Sequence, residues 1–260
     1  MSNDSPILLE RDDGIATLRF NRPAAYNAID RAMASAFLGH VKALAADASV
    51  RAIVMAGNGK AFVSGGDLSV LRDDPVNGAA DLIGPLHEGL QILASGDAPV
   101  IASVHGAVAG AGLSLMLQAD YVVAAEGTKF NLAYVNVGTS CDVGASWALP
   151  RIVGQRKALE IAMLGETCDA AEALRLSMVN RVVPGAELAA ATKAIAGRFA
   201  NGPTRALGEL RRLIRTSLDR DLRGQLDAEA QAFARCAQTD DFREGTAAFF
   251  EKRAPEFRGR

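Results

Sequence analysis

The sequence has no surplus of charge. Its 28 Lys and Arg stand against 30 Asp and Glu, a formal net charge of −2 at neutral pH. That balance excludes the broad basic field that draws in nucleic acid or an anionic membrane, so an anionic ligand must be held by local groups. Long hydrophobic runs are also absent. The longest strongly apolar stretch, around residues 107–117, is too short and too rich in glycine to span a bilayer. Cysteine is scarce, and Cys141, Cys168 and Cys236 have neither paired nor metal-type spacing; an odd number argues against a disulfide framework. The first residues, Met1-Ser2-Asn3-Asp4-Ser5, are polar and acidic, unlike a secretory leader or an arginine-rich transit peptide. A cytoplasmic protein is expected, with no nucleic-acid or membrane partner.

Several familiar signatures are missing as well. Gly106-Ala107-Val108-Ala109-Gly110-Ala111-Gly112 has the wrong glycine order for a dinucleotide fingerprint. Gly59-Lys60 lacks the upstream glycine and the following Ser or Thr of a P-loop. Ser64 is preceded two residues earlier by Phe62, where a nucleophile elbow needs glycine. The histidines His40, His87 and His105 do not share a zinc-binding helix, so no metal is expected.

What is present is ordinary globular material: 49% hydrophobic and 22% charged residues over 260 positions, enough for one large domain or a core with an appendage. Residues 7–11 and 15–20 read as a hairpin joined by Asp12-Asp13-Gly14. A helix follows Asp30 as candidate N-cap, with Met33, Phe37, Val41 and Leu44 on one face. Short apolar runs at 52–56, 100–104 and 121–125 read as buried strands, separated by a helix over 82–94, a turn over 106–112 and a short helix over 113–118. This alternation predicts an α/β fold. After about Gly154 the pattern turns helical, at 155–164, 170–176, 188–200, 205–216, 222–237 and 241–252, with one remaining strand at 179–183. Apolar residues on several faces of the last helix, Phe242, Ala247, Phe249 and Phe250, suit packing either on the chain's own core or on another subunit.

Two strand-to-helix turns rich in small residues stand out, Ser64-Gly65-Gly66-Asp67 and Gly110-Ala111-Gly112. Amides at a helix start have no intrahelical partner and carry partial positive charge, so they suit an anion or a developing oxyanion. A tight loop that needs glycine for positive φ explains either turn taken alone.

Three motifs follow in order, Asn21-Arg22-Pro23-Ala24-Ala25-Tyr26-Asn27-Ala28, Lys60-Ala61-Phe62-Val63-Ser64-Gly65-Gly66-Asp67-Leu68 and His105-Gly106-Ala107-Val108-Ala109-Gly110-Ala111-Gly112. In that order they resemble the enoyl-CoA hydratase/isomerase (crotonase) superfamily. The likeness continues through Trp147-Ala148-Leu149-Pro150-Arg151-Ile152-Val153-Gly154 and ends at Arg243-Glu244-Gly245-Thr246-Ala247-Ala248-Phe249-Phe250-Glu251-Lys252-Arg253. It implies a ββα superhelix over 1–200 carrying an acyl-CoA site, and a C-terminal helical region over 201–260 that supports homotrimers or hexamers built as dimers of trimers. It also implies a coenzyme A thioester substrate of the kind found in fatty acid metabolism, and no separate cofactor, since coenzyme A is part of the substrate. By position, the oxyanion donors are the amides of Gly66 and Ala111. Ala24, Ala25 and Tyr26, with the backbone near Ser64, are implied to line the coenzyme A moiety. Lys252 of the partner subunit is implied to reach its phosphates, although an exposed lysine on a charged helix is otherwise unremarkable.

The chain departs from the hydratase pattern at the two catalytic glutamates, where it has Ser114 and Tyr134. Neither replaces a carboxylate as general base near neutral pH. The carboxylate that remains, Asp142, lies nine residues before Arg151. It resembles the acid of the phenylacetate-pathway enoyl/epoxyphenylacetyl-CoA isomerases, and one carboxylate suits moving a double bond. From the local sequence Asp142 is also a candidate N-cap for the helix that holds Ala145 to Leu149. Two other outcomes stay open. One is a 4-chlorobenzoyl-CoA dehalogenase-like hydrolase with Asp142 as nucleophile, His87 near the base position and Tyr134 orienting. The other is an acyl-CoA-binding protein without catalysis.

Overall fold

The computed structural model describes residues 5–260; residues 1–4 of the expected 1–200 core lie outside the described residues. The chain opens with strands β1 (Ile7–Asp12) and β2 (Ile15–Phe20), paired antiparallel. Asp13 (φ 45°) and Gly14 (φ 77°) both take left-handed conformations between them. Two such residues match the twist of the flanking strands and fix the register. Helix α1 (Arg31–Ala45) starts where expected, with Asp30 Oδ1 accepting the Met33 N–H at 2.8 Å. Its Met33, Phe37, Val41 and Leu44 are all buried in the main core.

Three consecutive units then follow one plan: a long buried strand, a short strand and a helix or helical turn. They are β3 (Ala52–Gly57) with β4 (Ala61–Val63) and α2 (Leu68–Asp73); β5 (Val100–Val104) with β6 (Ala107–Ala109) and α4 (Ala111–Leu117); and β7 (Tyr121–Ala125) with β8 (Lys129–Asn131) and the 3₁₀ turn Tyr134–Val137. Helix α3 (Pro75–Ser95) lies between the first two units. The long strands join β1, β2 and the later β10 (Arg181–Val183) in one sheet, ordered β1-β2-β3-β5-β7-β10. The short strands and β9 (Cys168–Asp169) form a second sheet, ordered β4-β6-β8-β9. Neighbours are parallel except β1–β2 and β8–β9. This is the expected ββα superhelix.

Two sequence expectations change. The segment 106–112 is not only a turn, because β6 pairs with β4 and β8 through residues 107–109. Helix α3 begins at Pro75, well before residue 82, despite Gly78, Gly89 and an internal Pro85. Two of those glycines are packing devices. A Cβ on Gly78 would lie 2.6 Å from the Val70 carbonyl of α2, and one on Gly89 would lie 2.6 Å from the Phe37 ring of α1.

The remaining helices are α5 (Ala145–Val153), α6 (Gln155–Leu164), α7 (Ala170–Arg175), α8 (Leu188–Ala200), α9 (Thr204–Arg215), α10 (Leu222–Ala237) and α11 (Asp240–Glu251). On α8, Ala196 and Ala200 pack against Val54 and Ile101 of the large sheet. On α9, the buried Arg211 donates to the Gly96 and Ala98 carbonyls and pairs with Asp120, tying the C-terminal helices to the core. Leu210, Ile214, Leu222, Leu226, Phe233, Phe249 and Phe250 stay exposed on α9–α11. No helix among the described residues is long and apolar enough to cross a membrane.

Candidate active site

Each glycine-rich turn is fixed by its own local chemistry. After β4 the chain bridges to Ile29: the Ile29 N–H donates to the Gly65 carbonyl and the Asp67 N–H to the Ile29 carbonyl, both at 2.8 Å. The Gly66 N–H takes no part in that bridge. Asp67 anchors the turn, accepting from Ser69 N–H and from the Arg22 guanidinium at 3.1 Å. The Ser69 hydroxyl, more than Arg22, holds its carboxyl below the ordinary range, so Asp67 is a structural anion and not a base.

The second turn is sterically stricter. Gly110 has φ 49° and ψ −123°, a combination closed to residues with a Cβ, and its N–H donates to the Asn131 carbonyl at 3.0 Å. Helix α4 begins at Ala111, whose amide therefore lacks an intrahelical acceptor. A Cβ on Gly112 would lie 2.0 Å from the Val63 carbonyl, so α4 packs directly on β4. The turns also touch: a Cβ on Gly110 would sit 3.5 Å from Gly65 Cα.

Both turns open on one cavity of about 290 Å³. Its apolar wall is Leu68, Leu82 and Leu86; its polar wall is Tyr134, Cys141 and Asp142. A larger cavity, about 570 Å³, lies among Val41, Arg51, Asp97 and Thr204 and is lined by neither turn.

The polar wall comes from the irregular segment between β8 and α5. Asp142 is not the N-cap of α5. Gly144, at φ 78°, holds that place with no side-chain bond, and the Asp142 side chain points into the cavity wall. The Tyr134 hydroxyl donates to Asp142 Oδ1 through a short contact. Behind it, Ser114 Oγ lies 3.0 Å from Tyr134 Oη and 3.2 Å from the Gly110 carbonyl. Val143 sits at φ 52°, costly for a β-branched residue by about 1–3 kcal/mol, and is held there by full burial. His87 of α3 completes the clamp, its Nε2 accepting the Val143 N–H at 3.1 Å. That bond leaves this nitrogen without a free lone pair for a base role.

Burial lifts the Asp142 carboxyl above the ordinary carboxylate range, against the opposing pull of the Tyr134 donor. Burial, and then the Asp142 charge, push the Tyr134 phenol far above neutrality. Tyr134 therefore holds its proton, while Asp142 is the group able to take one up.

Of the sequence-predicted residues, Gly66, Ala111, Tyr134, Asp142 and Ser64 line the cavity. Ala24 and Ala25 lie on an outlying 3₁₀ turn followed by the exposed Tyr26, linked to the site by the Ser64 N–H donating to the Tyr26 carbonyl at 3.2 Å. Lys252 caps α11 and is exposed, away from the cavity lining of its own chain. Sequence reasoning missed Asn27, buried and donating to the Asn58 and Ala61 carbonyls at 2.9 and 2.8 Å. No sequence signal separates that buried asparagine from an exposed one.

The model of the enoyl-CoA hydratase/isomerase family matches residues 10–260. A Rhodobacter capsulatus protein named "Probable enoyl-CoA hydratase" is 36% identical over 98% of both chains. The 1,2-epoxyphenylacetyl-CoA isomerase of Escherichia coli is 34% identical, also over 98% of both. A solved enoyl-CoA hydratase structure from Mycobacterium smegmatis superposes with a TM-score of 0.91 at 34% identity, covering 97% of this chain and 98% of that one.

Proposed function

The chain belongs to the enoyl-CoA hydratase/isomerase family, and on that premise we propose that it moves the double bond of an enoyl-CoA with a single carboxylate. The observation that carries this reading is Asp142, a carboxyl with raised proton affinity in the same cavity as the Gly66 and Ala111 amides. The thioester carbonyl accepts from those two amides. Asp142, ionised, takes a proton from the carbon next to the carbonyl and returns it two carbons away, and the intervening dienolate rests in the amide hole. Hydration asks for a second acid-base group. By the family resemblance Ser114 and Tyr134 stand where the hydratases carry their glutamates, and Tyr134 holds its proton too tightly to share one at neutral pH.

Ala24, Ala25, Tyr26 and the backbone of Ser64 are assigned to the coenzyme A moiety, with Lys252 of the partner subunit on its phosphates. The exposed apolar side chains of α9–α11 support a trimer or a dimer of trimers, with 1–200 as core and 201–260 as assembly region. A cytoplasmic setting completes the proposal.

The Asp142–His87 neighbourhood keeps a second reading alive, a hydrolase in which Asp142 attacks an aryl ring. The engaged Nε2 of His87 weighs against it.

Purified protein is incubated with a 3-enoyl-CoA and the ultraviolet absorbance of the conjugated 2-enoyl thioester is followed. Conversion that disappears in Asp142→Asn supports the isomerase. Undiminished conversion in that variant removes Asp142 from the mechanism. Chloride release from 4-chlorobenzoyl-CoA with no double-bond movement selects the hydrolase, and tight acyl-CoA binding without either reaction selects a binding protein.

A further inference from the structure

The side chains behind Asp142 make a row that ends on the oxyanion hole. Asp142 Oδ1, Tyr134 Oη, Ser114 Oγ and the Gly110 carbonyl oxygen stand in sequence, the last two steps at 3.0 and 3.2 Å. Ser114 is fully buried, so no solvent enters the row at that point. The Gly110 carbonyl and the Ala111 N–H belong to one peptide unit. A donor on that carbonyl draws electron density off the nitrogen and makes the Ala111 N–H a stronger donor.

The row has three gaps and two hydroxyl hydrogens, so one gap is always empty. While Asp142 is ionised, its charge makes it the best acceptor and the Tyr134 hydrogen points to Oδ1. Ser114 then donates to Tyr134 Oη, because a hydroxyl that donates to a carboxylate becomes the stronger acceptor while the Gly110 carbonyl already holds a backbone N–H, and the gap at Gly110 is empty. The Gly110 carbonyl keeps the Ser114 backbone N–H at 3.0 Å in either case. When a proton sits on Asp142 Oδ2, Oδ1 becomes a neutral acceptor and loses its advantage. Tyr134 then turns to Ser114 Oγ, and Ser114 turns to the Gly110 carbonyl. Each hydroxyl keeps its own hydrogen, and only the direction of donation changes.

We propose that Ser114 and Tyr134 form a two-setting hydrogen-bond relay that strengthens the Ala111 oxyanion donor when Asp142 holds the substrate proton. The timing fits the chemistry, because the substrate carbonyl gains its negative charge in the step that protonates Asp142. The negative oxygen itself favours the second setting. Both are positioning residues that act through the peptide at 110–111. Few other ionisable groups face Asp142. Helix α4 brings none, α3 brings His87 while its Glu88 pairs with Lys42, and the loop adds Cys141.

The relay rests on the base role given to Asp142, but its test can fail separately. Acetyl-CoA labelled with ¹³C at the carbonyl, which has no double bond to move, is bound to the whole protein. Infrared difference spectra are then recorded across the titration of Asp142, followed at its own carboxyl stretch. In the wild type the bound thioester stretch moves to lower wavenumber as Asp142 becomes protonated. In Ser114→Ala, and independently in Tyr134→Phe, Asp142 still titrates and that movement disappears. In Ser114→Ala the isomerase kcat also falls about fivefold with KM unchanged, the loss of about one neutral hydrogen bond. A wild-type stretch that ignores Asp142 protonation, or one that moves equally in both variants, overturns the relay. Full turnover in Asp142→Asn overturns the base role and leaves the spectral result to be judged on its own.

Discussion

On one side of the cavity the chemistry belongs to the main chain, at Gly66 and Ala111. On the other it belongs to side chains, at Asp142, Tyr134 and, behind them, Ser114. The first wall is fixed by strand pairing, by the Asp67 anchor and by atoms packed too closely to admit a Cβ. The second wall follows an irregular path through Ala133 and Val143, both at positive φ, and is held by a few side-chain bonds. The contrast separates two tasks. In the proposed reaction the main-chain wall stabilises negative charge whatever step produces it, while the side-chain wall decides where the proton goes.

The hardest blow to this division is Asp142→Asn. Turnover should fall by about 10²–10⁴-fold, the range for a lost general base, while the melting temperature at neutral pH rises. The sign follows from burial. The folded state raises the Asp142 pKa, so this group's contribution to stability falls as pH climbs from its unfolded value through the raised folded one, and asparagine removes that loss. Kinetics and calorimetry on the same preparation check both halves.

Next comes Gly112→Ala, which changes no functional group and attacks only the main-chain wall. Its Cβ would meet the Val63 carbonyl at 2.0 Å. We expect a loss of about 1–3 kcal/mol from overpacking and, through a displaced Ala111 amide, up to about 10²-fold in kcat. Unchanged kinetics would mean that the amide geometry is not what the turn protects.

A smaller effect sharpens the side-chain wall. The acid limb of the kcat/KM profile should fall at a pH above that of an ordinary carboxylate, since activity needs Asp142 ionised and its pKa is raised. Tyr134→Phe removes a donor that favours the ionised form, so the limb should move to still higher pH. A limb that stays put breaks the link between the two side chains.

The smallest effect lies far from both walls. Glu209 is held at about 2 by Arg235 first and Arg212 after it, across α9 and α10. Its stabilisation is present above the ordinary glutamate range and is lost as pH falls toward about 2. Glu209→Gln should cost no more than about 1 kcal/mol at neutral pH and leave turnover untouched, as a denaturation curve and a rate assay can show.

The long strands and amphipathic helices were legible in the sequence because their patterns run for a full period. Residues 100–104, 155–164, 188–200 and 222–237 form elements with the expected bounds. The second sheet was not legible, since strands of two or three residues such as Ala107–Ala109 are shorter than any periodic signal and lie among glycines. The site divided the same way. The glycine turns announced themselves by composition, and Asp142 was singled out through a family resemblance. Between it and the Gly144 cap of α5 stands the left-handed Val143, a conformation that a valine's sequence context argues against.

Gly110 and Gly112 also bear on heredity. Because the proposed anion site is written in amides, its two donors remain present whatever side chain stands at 134 or 142. Position 110 is reserved for glycine by its backbone angles, and position 112 by the Val63 carbonyl that a Cβ would strike. A directed-evolution library that saturates positions 134 and 142, which line the cavity, and spares those two glycines and the buried Ser114 would therefore vary the proton chemistry while keeping the amides in place.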